Sequence, residues 1–493
     1  MEKRKKFILT ARKNHVIMLR SCVLRAFVTA ALFSMTGAQA TYSTSTAELL
    51  SELIRVDSSN PSGREGRIAE LLASKFRPLG FKVDIVPTPE PGKAHFLARL
   101  KGDGSKGPVL LAAHADVVGV EREKWTVDPF AGTIREGYVY GRGAIDFKGG
   151  LAVFAEAVMR LARNHVPLHR DVILLSEADE EGGRYSTTWL AETHWNLIRC
   201  EFALNEGGWI IKDQNEKIRY VSISTADKLS VSLLLTARGT STHSSMPRPD
   251  SPIYALARAL SKLADYDTPV QLIPSTRDFF LTLARTSEPP LSTYFNDLVN
   301  SADPAMVQKA DREISKDPLL HAIMRNTIAP VFLKAGFRGN VIPGSAQATI
   351  NMRVIPGADP RALISQIRGI INDPRVELTL IPANTPDGAR MAENLRLAAN
   401  LKPSAKETPL YRALERSARS LWPGVPVTAY LFQAGTDALA WRSRGVPVYG
   451  IYPYPITPED LTRMHGNDER VPVRSLEQGT ELIYRTLVEV ASK

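Results

Sequence analysis

One stretch constrains the fold of this chain most, residues 109–150, VLLAAHADVVGVEREKWTVDPFAGTIREGYVYGRGAIDFKGG. It begins with the apolar run Val109–Ala113, which has the length and flanks of a buried parallel strand. His114 follows at the end of that strand, where open α/β sheets bind their ligands, and Asp146 lies in a Gly-rich turn further on. Asp116 lies on the same face of an extended backbone as His114, so we expect its carboxylate to accept the second ring N–H of a metal-bound imidazole. A surface His-Asp pair is the alternative interpretation, and the rest of the chain decides between the two.

The basic charge of the chain is concentrated at its amino terminus. The formal net charge of the 493 residues is +10. Residues 1–40 contain eight Lys and Arg residues against Glu2, so they carry +7 and leave only +3 for the remainder. This distribution argues against a nucleic-acid-binding protein. A composition of 44% hydrophobic and 23% charged residues excludes wholesale disorder.

The first forty residues have the pattern of a secretory signal peptide. A basic region precedes the apolar stretch 26–35, and Ala38-Gln39-Ala40 is a small-x-small cleavage site. Met18 is an alternative start, and an uncleaved membrane anchor is the alternative function, although the apolar part is short for a bilayer. Cleavage would leave Cys200 as the remaining cysteine, so no intramolecular disulfide forms. We therefore predict an exported protein, periplasmic or secreted, that has no membrane association after signal cleavage.

Predicted strands and helices alternate after the signal and again near the carboxyl terminus. This alternation indicates an α/β catalytic domain with a mostly parallel sheet. We assign residues 41–225 and 398–493 to the two parts of this domain.

The segment between these two parts has a different pattern. Ala346–Val354 alternates apolar and polar residues, which is typical of a half-buried antiparallel strand, and Asp359 before Pro360 is a helix start. Two such α/β repeats predict a ferredoxin-like α+β lid domain inserted at residues 226–397. Residues 265–326 have helical character, but their position in the fold is not predicted.

Several potential metal ligands follow the predicted strands or lie in turns. They are His114, Asp146, Glu180, Glu181, Glu206 and His465. Two histidines with several carboxylates form the donor set expected for zinc with mixed nitrogen and oxygen ligands. Adjacent carboxylates directly after an apolar strand are unfavourable unless a cation compensates their charge.

Six ordered motifs resemble the M20 family of metallopeptidases. They read HADVV, GRGAIDFKGG, EADEEGG, NEGG, STHSSMP and MHGNDERV. That family includes glutamate carboxypeptidases, aminoacylases and succinyl-diaminopimelate desuccinylases. The wording W-x-x-D-P-F and YVYGRGAID is most similar to the carboxypeptidase S and N-acyl-amino-acid hydrolase branch. The resemblance covers essentially everything after residue 45.

The resemblance implies a site with two zinc ions per chain. Asp146 would bridge the two ions. His114 and Glu206 would complete one ligand group, and Glu181 and His465 the other. Some members have Asp at the position of Glu206.

The resemblance also implies roles for side chains that do not bind metal. Glu180 would be the general base, and a carboxylate beside a metal-acidified water suits that role. His243 would donate to the oxyanion in the active site of a partner subunit, which implies a homodimer formed through the inserted domain, residues of about 226–397. Arg353 and Asn340 would hold the substrate's free carboxylate, since a guanidinium pairs with it through two hydrogen bonds. Without the resemblance, His243 is an ordinary loop histidine and Arg353 a solvated charge on a strand face.

The predicted function is hydrolysis of the amide bond of a small peptide or N-acyl amino acid that has a free carboxylate. One alternative is an amidohydrolase for non-peptide amides, which would not need Arg353. Another is a non-catalytic binding module of the same fold. The presence of Glu180 and of all five ligand positions argues against this second alternative.

Overall fold

The computed structural model describes residues 44–182, 184–398 and 401–492. The signal peptide expected at residues 1–40 lies outside the described residues and stays a prediction. Within the described part of the chain, no helix combines the length and apolar character that a membrane span requires.

The β-strands of the described residues form four sheets. In chain order, these strands are β1 (Lys82–Pro87), β2 (Ala94–Leu100), β3 (Val109–His114), β4 (Thr133–Arg135), β5 (Tyr138–Tyr140), β6 (Val172–Glu177), β7 (Phe202–Asn205), β8 (Ile210–Lys212), β9 (Ile218–Asp227), β10 (Leu229–Arg238), β11 (Thr242–His243), β12 (Thr327–Ala335), β13 (Val341–Ile342), β14 (Ser345–Val354), β15 (Val376–Leu380), β16 (Val427–Phe432), β17 (Val448–Gly450), β18 (Pro455–Ile456) and β19 (Arg470–Pro472).

The α-helices of the same residues range from short turns to the long closing helix at the carboxyl terminus. In chain order, these helices are α1 (Ser45–Ile54), α2 (Glu65–Phe76), α3 (Lys148–Arg163), α4 (Thr187–Thr193), α5 (Trp195–Ile198), α6 (Pro252–Ala264), α7 (Pro274–Thr286), α8 (Leu291–Asn300), α9 (Pro304–Ile314), α10 (Pro318–Ile323), α11 (Pro360–Ile371), α12 (Pro386–Ala398), α13 (Pro409–Leu421), α14 (Leu439–Arg442), α15 (Pro458–Leu461) and α16 (Val473–Ala491).

The larger sheet has the strand order β1-β2-β6-β3-β7-β17-β9-β8-β18, and β16 also pairs with β9. Its centre, β6-β3-β7-β17, is parallel, and antiparallel pairs lie on both sides of it. Helix α3 packs on β3, and α1 and α16 pack on α3. This arrangement confirms the predicted α/β class.

The central strand β3 explains why one edge of this sheet can hold a site. All six of its residues are buried, as expected for an apolar parallel strand covered on both faces. Since β3, β6 and β7 are parallel, the loops that follow them leave the sheet at the same edge.

The smaller sheet is antiparallel and has the order β12-β14-β10-β15. Its sequence of elements, β10-α6-β12-β14-α11-β15 with further helices between α6 and β12, gives the ferredoxin-like arrangement. Strand β14 alternates between buried and half-buried residues, as its sequence predicts. Helices α6 and α11 pack against each other, and α6 also packs on β10 and β14.

The helices α7–α10 belong to a different core from the smaller sheet. Phe279 of α7 makes edge-to-face contacts with Tyr220 of β9 and Tyr430 of β16. Phe280 and Phe295 join the same core. The predicted insertion at residues 226–397 therefore contributes to two cores, because its middle part buries its apolar side chains against the larger sheet.

A three-stranded sheet, β19-β5-β4, joins two distant parts of the chain. Arg470 of β19 pairs with Tyr140 of β5. This pairing places the loop that contains His465 beside the turn that contains Asp146.

Candidate metal centre

Four side chains of the site lie at the carboxyl edge of the larger sheet. His114 ends β3, Glu180 and Glu181 follow β6, and Glu206 follows β7. The parallel order of these strands brings together residues that lie far apart in the sequence.

One group of potential ligands is buried. The Nε2 atom of His114 lies 3.2 Å from Oδ1 of Asp146 and 3.7 Å from Oε2 of Glu206. All three side chains are buried. Their donor atoms lie within 4.8 Å of one another, so a single cation can contact all three.

A second group shares Asp146 and opens to solvent. The Nε2 atom of His465 lies 3.1 Å from Oδ2 of Asp146 and 2.9 Å from Oε1 of Glu181. The His465 side chain is 48% exposed. Each oxygen of Asp146 therefore faces a different histidine, which is the arrangement that a carboxylate bridging two cations requires.

The chemistry of these donors fits a pair of metal ions. The Nδ1 atom of His114 lies 2.9 Å from the backbone carbonyl of Asp116, so Nδ1–H donates to it. The lone pair of Nε2 in the neutral ring then faces the carboxylates of Asp146 and Glu206. Converging acceptors repel one another unless a cation lies between them, and imidazole with carboxylate is a donor set that zinc accepts.

The expected role of the Asp116 carboxylate is wrong. Its oxygen lies 3.7 Å from Nδ1 of His114, too far for a hydrogen bond. Strand β3 ends at His114, so the side-chain alternation of an extended backbone does not reach Asp116. The carboxylate accepts instead from Nδ2 of Asn60 at 2.6 Å and from the backbone N–H groups of Glu180 and Glu181 at 3.1 and 3.0 Å. Asp116 therefore orients the turn that carries Glu180 and Glu181.

The concentrated charge changes the acidity of the histidines. Burial lowers the pKa of His465, but hydrogen bonds with Asp146 and Glu181 outweigh it and raise the pKa to about 10. Burial also lowers the pKa of His114. The carboxylates of Asp146 and Glu206 outweigh this effect and raise the pKa of His114 well above its ordinary value. The carboxylates thus favour positive charge at both histidines, and a metal ion would supply that charge in place of a proton.

The carboxylates of the site respond to burial and to one another. Burial raises the pKa of Glu206 to about 7, and Asp146 adds to this effect. Burial and the negative charge of Glu206 raise the pKa of Glu180 well above its ordinary value. A carboxylate with a raised pKa accepts a proton readily, which is the property of a general base.

Glu469, for which the sequence predicted no role, holds the turn around Asp146. Its Oε1 accepts from the backbone N–H groups of Ile145 and Asp146 at 2.7 and 3.0 Å. Its Oε2 accepts from the backbone N–H of Gly143 at 3.0 Å and from Arg142 at 2.7 Å. Glu469 lies within the motif MHGNDERV, and that position was the available signal.

Tyr452 is another residue whose role was not predicted. Its hydroxyl lies 2.9 Å from Oδ1 of Asp146 and 2.9 Å from Oε2 of Glu206. Tyr452 follows strand β17, just as Glu181 and Glu206 follow strands of the same sheet. A phenol is not a usual zinc ligand, however, so a tyrosine at this position does not indicate a metal site.

The ligand groups open into a cavity of about 1810 Å³. Glu180 and Arg353 both line it. Arg353 lies on β14, so the smaller sheet supplies a cation to the cavity that the larger sheet's loops make acidic.

The other two residues implied by the resemblance lie elsewhere on the chain. His243 and Asn340 are exposed and are absent from the described residues that line the cavity. His243 belongs to β11, which pairs with β13, and the carbonyl of Asn340 accepts from the backbone N–H of Ser244 at 3.0 Å. The structure thus brings His243 and Asn340 near each other but not to the metal centre of their own chain.

Comparison with known proteins identifies the family. The model of peptidase family M20/M25/M40 matches residues 110–489. The human N-fatty-acyl-amino acid synthase/hydrolase PM20D1 is 31% identical over 401 residues, which are 80% of this chain and 76% of that protein. A probable carboxypeptidase S-like 2 from Dictyostelium discoideum is 30% identical over 394 residues, covering 78% of this chain and 72% of its own length.

Solved structures of the family share the fold. The M20 metallo-carboxypeptidase Sso-CP2 from Sulfolobus solfataricus has a TM-score of 0.66 at 18% identity, covering 91% of this chain and 99% of its own. The Bacillus subtilis protein YXEP, a dinuclear metal-binding M20 peptidase, has a TM-score of 0.52 at 13% identity, covering 90% of this chain and 98% of its own. The chain belongs to the M20 family of hydrolases, which confirms the resemblance seen in its motifs.

The geometry of Asp146 makes a prediction about metal content. Since its two oxygens face different ligand groups, Asp146→Ala is expected to remove zinc from both, whereas His465→Ala is expected to leave about one zinc per chain in the buried group. Elemental analysis after dialysis measures both stoichiometries, with the exposed Asp265→Ala as the control that keeps the wild-type content. About two zinc ions per chain in Asp146→Ala would contradict the bridging position.

Proposed function

We propose that the protein is an exported di-zinc hydrolase that cleaves the amide bond of an N-acyl amino acid or releases the C-terminal residue of a peptide. The observation that supports this proposal most is the sharing of Asp146 by two ligand groups, with Glu180 at the same cavity. Zinc bound there would acidify a water molecule and polarise the amide carbonyl.

Glu180 is the proposed general base. Its backbone N–H is held by Asp116, which fixes the start of the side chain, and it belongs to neither ligand group. Its raised pKa allows it to take the proton of the attacking water and to return it to the leaving amine.

Arg353 is the proposed partner of the substrate carboxylate. Its side chain lines the cavity together with Glu180 and Glu181, so a positive charge shares the cavity with the acidic groups. A substrate held between Arg353 and the ligand groups would have its carboxylate on the guanidinium and its amide near Glu180. This arrangement favours substrates with a free carboxylate over neutral amides.

The apolar part of the cavity supports N-acyl amino acids as the preferred substrates. Its lining includes Ile364 of α11, Leu380 of β15, Ile381 and Leu395 of α12. The volume also exceeds the roughly 300–1000 Å³ of ordinary small-molecule pockets. A long apolar acyl chain would remove this surface from water, and the similarity to a human N-fatty-acyl-amino acid hydrolase is in agreement with that substrate.

A homodimer is the proposed assembly. Strand β12 is at the edge of the smaller sheet and exposes Val331, Phe332 and Leu333, with Phe332 72% exposed. An open edge with apolar side chains is suited to association with a second copy. In such a dimer we propose that His243 reaches the neighbour's cavity and donates to the developing oxyanion.

The role of Glu180 predicts a loss of turnover without a loss of metal. Glu180→Gln keeps the size of the side chain but cannot accept the proton, so kcat is expected to fall by at least about 10²–10⁴-fold. Glu181→Gln is expected to lose metal as well, because Glu181 belongs to a ligand group. Glu192→Gln, an exposed residue that lines the same cavity, is the control. Retained activity in Glu180→Gln, or loss of its zinc, would show that the roles of Glu180 and Glu181 are interchanged.

The role of Arg353 predicts a change in substrate preference. Arg353→Ala is expected to reduce kcat/KM for an N-acyl amino acid far more than for its C-terminal amide, and Arg353→Lys to restore little because an ammonium lacks the planar fork. Arg361→Ala, at the rim of the same cavity, should keep the wild-type preference. An equal loss on acid and amide would favour the alternative, an amidohydrolase that does not select for a carboxylate.

The role of His243 is tested by subunit complementation. Chains with His243→Ala and chains with Glu180→Gln are each expected to be nearly inactive. After subunit exchange, a mixed dimer has one site with an intact Glu180 and a donated His243, so activity returns to about a quarter of wild type for equal mixing. Exchange is verified with labelled chains. Confirmed exchange with no recovered activity would show that His243 does not act on a neighbouring site.

A further inference from the structure

The contacts of Tyr452 differ from those of the other buried tyrosines near the site. Its hydroxyl touches two carboxylates of one ligand group, at 2.9 Å from Oδ1 of Asp146 and 2.9 Å from Oε2 of Glu206. The ring is buried and stacks on Trp209, with centroids 4.2 Å apart and planes inclined by 12°. An edge-to-face contact with Phe147 holds the ring from another side. The packing of the ring therefore fixes the position of the hydroxyl.

The number of protons on the hydroxyl limits what it can do. A phenol hydroxyl has one proton to donate. One O–H shared between two carboxylate oxygens leaves lone pairs on both. Those lone pairs and the Nε2 atom of His114 point toward the same space, so they remain available to coordinate a cation.

Within the buried group, Glu206 has the side chain with the most rotatable bonds. A glutamate has one more rotatable bond than an aspartate, and fixing a free side chain costs conformational entropy when the metal binds. The hydrogen bond from Tyr452 orders the end of Glu206 before the metal arrives. Outer hydrogen-bond partners of metal ligands commonly change metal affinity by about 10–100-fold.

The contact is specific for one of the two ligand groups. Tyr452 touches Oδ1 of Asp146, which faces His114, whereas Oδ2 faces His465. The ligands that complete the exposed group, Glu181 and His465, contact each other at 2.9 Å.

We propose that Tyr452 is a positioning residue whose hydroxyl sets the metal affinity of the buried group His114–Asp146–Glu206 and leaves that of the exposed group unchanged. This inference rests on the two-metal site of the proposed function. It implies that the buried group binds metal with higher affinity than the exposed group, and that metal exchanges with solution mainly from the exposed group.

The experiment separates the two groups before it tests the hydroxyl. His465→Ala disables the exposed group, and His114→Ala disables the buried one. Tyr452→Phe is then added to each, and the affinity for Zn²⁺ is measured by competition with a chromogenic chelator. We expect the affinity to fall by about 10–100-fold in the His465→Ala background and by less than about threefold in the His114→Ala background. The absorption spectrum of Co²⁺ bound to the buried group should also differ between His465→Ala and the double variant His465→Ala/Tyr452→Phe.

The matched control is Tyr449→Phe. Tyr449 is also fully buried, and its hydroxyl contacts Thr408 and the carbonyl of Ala405, away from the ligand groups. This variant should keep both zinc affinities, so a general effect of removing a buried hydroxyl is measured separately.

Three outcomes would overturn the inference. They are an unchanged zinc affinity of the buried group, an equal loss in both groups, and failure of Tyr452→Phe to fold by circular dichroism. The last would show that the hydroxyl stabilises the fold, since phenylalanine keeps every ring contact. Failure of the proposed function is distinguishable, because the wild-type protein would then bind fewer than two zinc ions before any change at Tyr452.

Discussion

The site depends on the contact between the Glu469 carboxylate and the backbone turn Gly143–Asp146. Three backbone N–H groups and the Arg142 guanidinium surround one buried carboxylate. Such charge-assisted hydrogen bonds are strong in a buried environment. Glu469 lies four residues after His465 in the chain. The same contact therefore holds two members of the exposed ligand group, Asp146 and His465, near each other. Removing the carboxylate would leave buried N–H groups and the Arg142 charge without partners, which is costly.

Asp116 holds the turn that carries Glu180 and Glu181 in the same way that Glu469 holds the turn that carries Asp146. Each of these carboxylates binds backbone N–H groups of a turn that carries ligands, and each is fully buried. Acidic residues thus have two distinct tasks in this site. Asp116 and Glu469 direct their charge at backbone groups and hold the loops, whereas Asp146, Glu181 and Glu206 direct their oxygens at histidines. Ligands fixed in this way lose little freedom when a cation binds, which favours affinity.

The sequence predicts those parts of the molecule that follow from local periodicity. Strand β3 contains the predicted Val109–Ala113 and extends by one residue to His114, and the alternation at 346–354 gives the observed faces of β14. The metal ligands were also predictable, because His and carboxylate residues follow several predicted strands and parallel strands end at one edge of a sheet. The path of α7–α10 was not predictable, because their apolar faces match either core. Tyr452 and Glu469 were missed because their roles arise from contacts across about 250 and 320 residues of chain.

The two sheets contribute opposite charges to the cavity. The larger sheet supplies acidic groups at its parallel edge, and the smaller sheet supplies Arg353, a positive charge in the same cavity. Between strands of the smaller sheet in the chain, β11 pairs with β13 to form a two-stranded ribbon, and its exposed His243 does not line this cavity. In the proposed homodimer, which would form through the open edge at β12, His243 is the residue proposed to act on the cavity of the other chain.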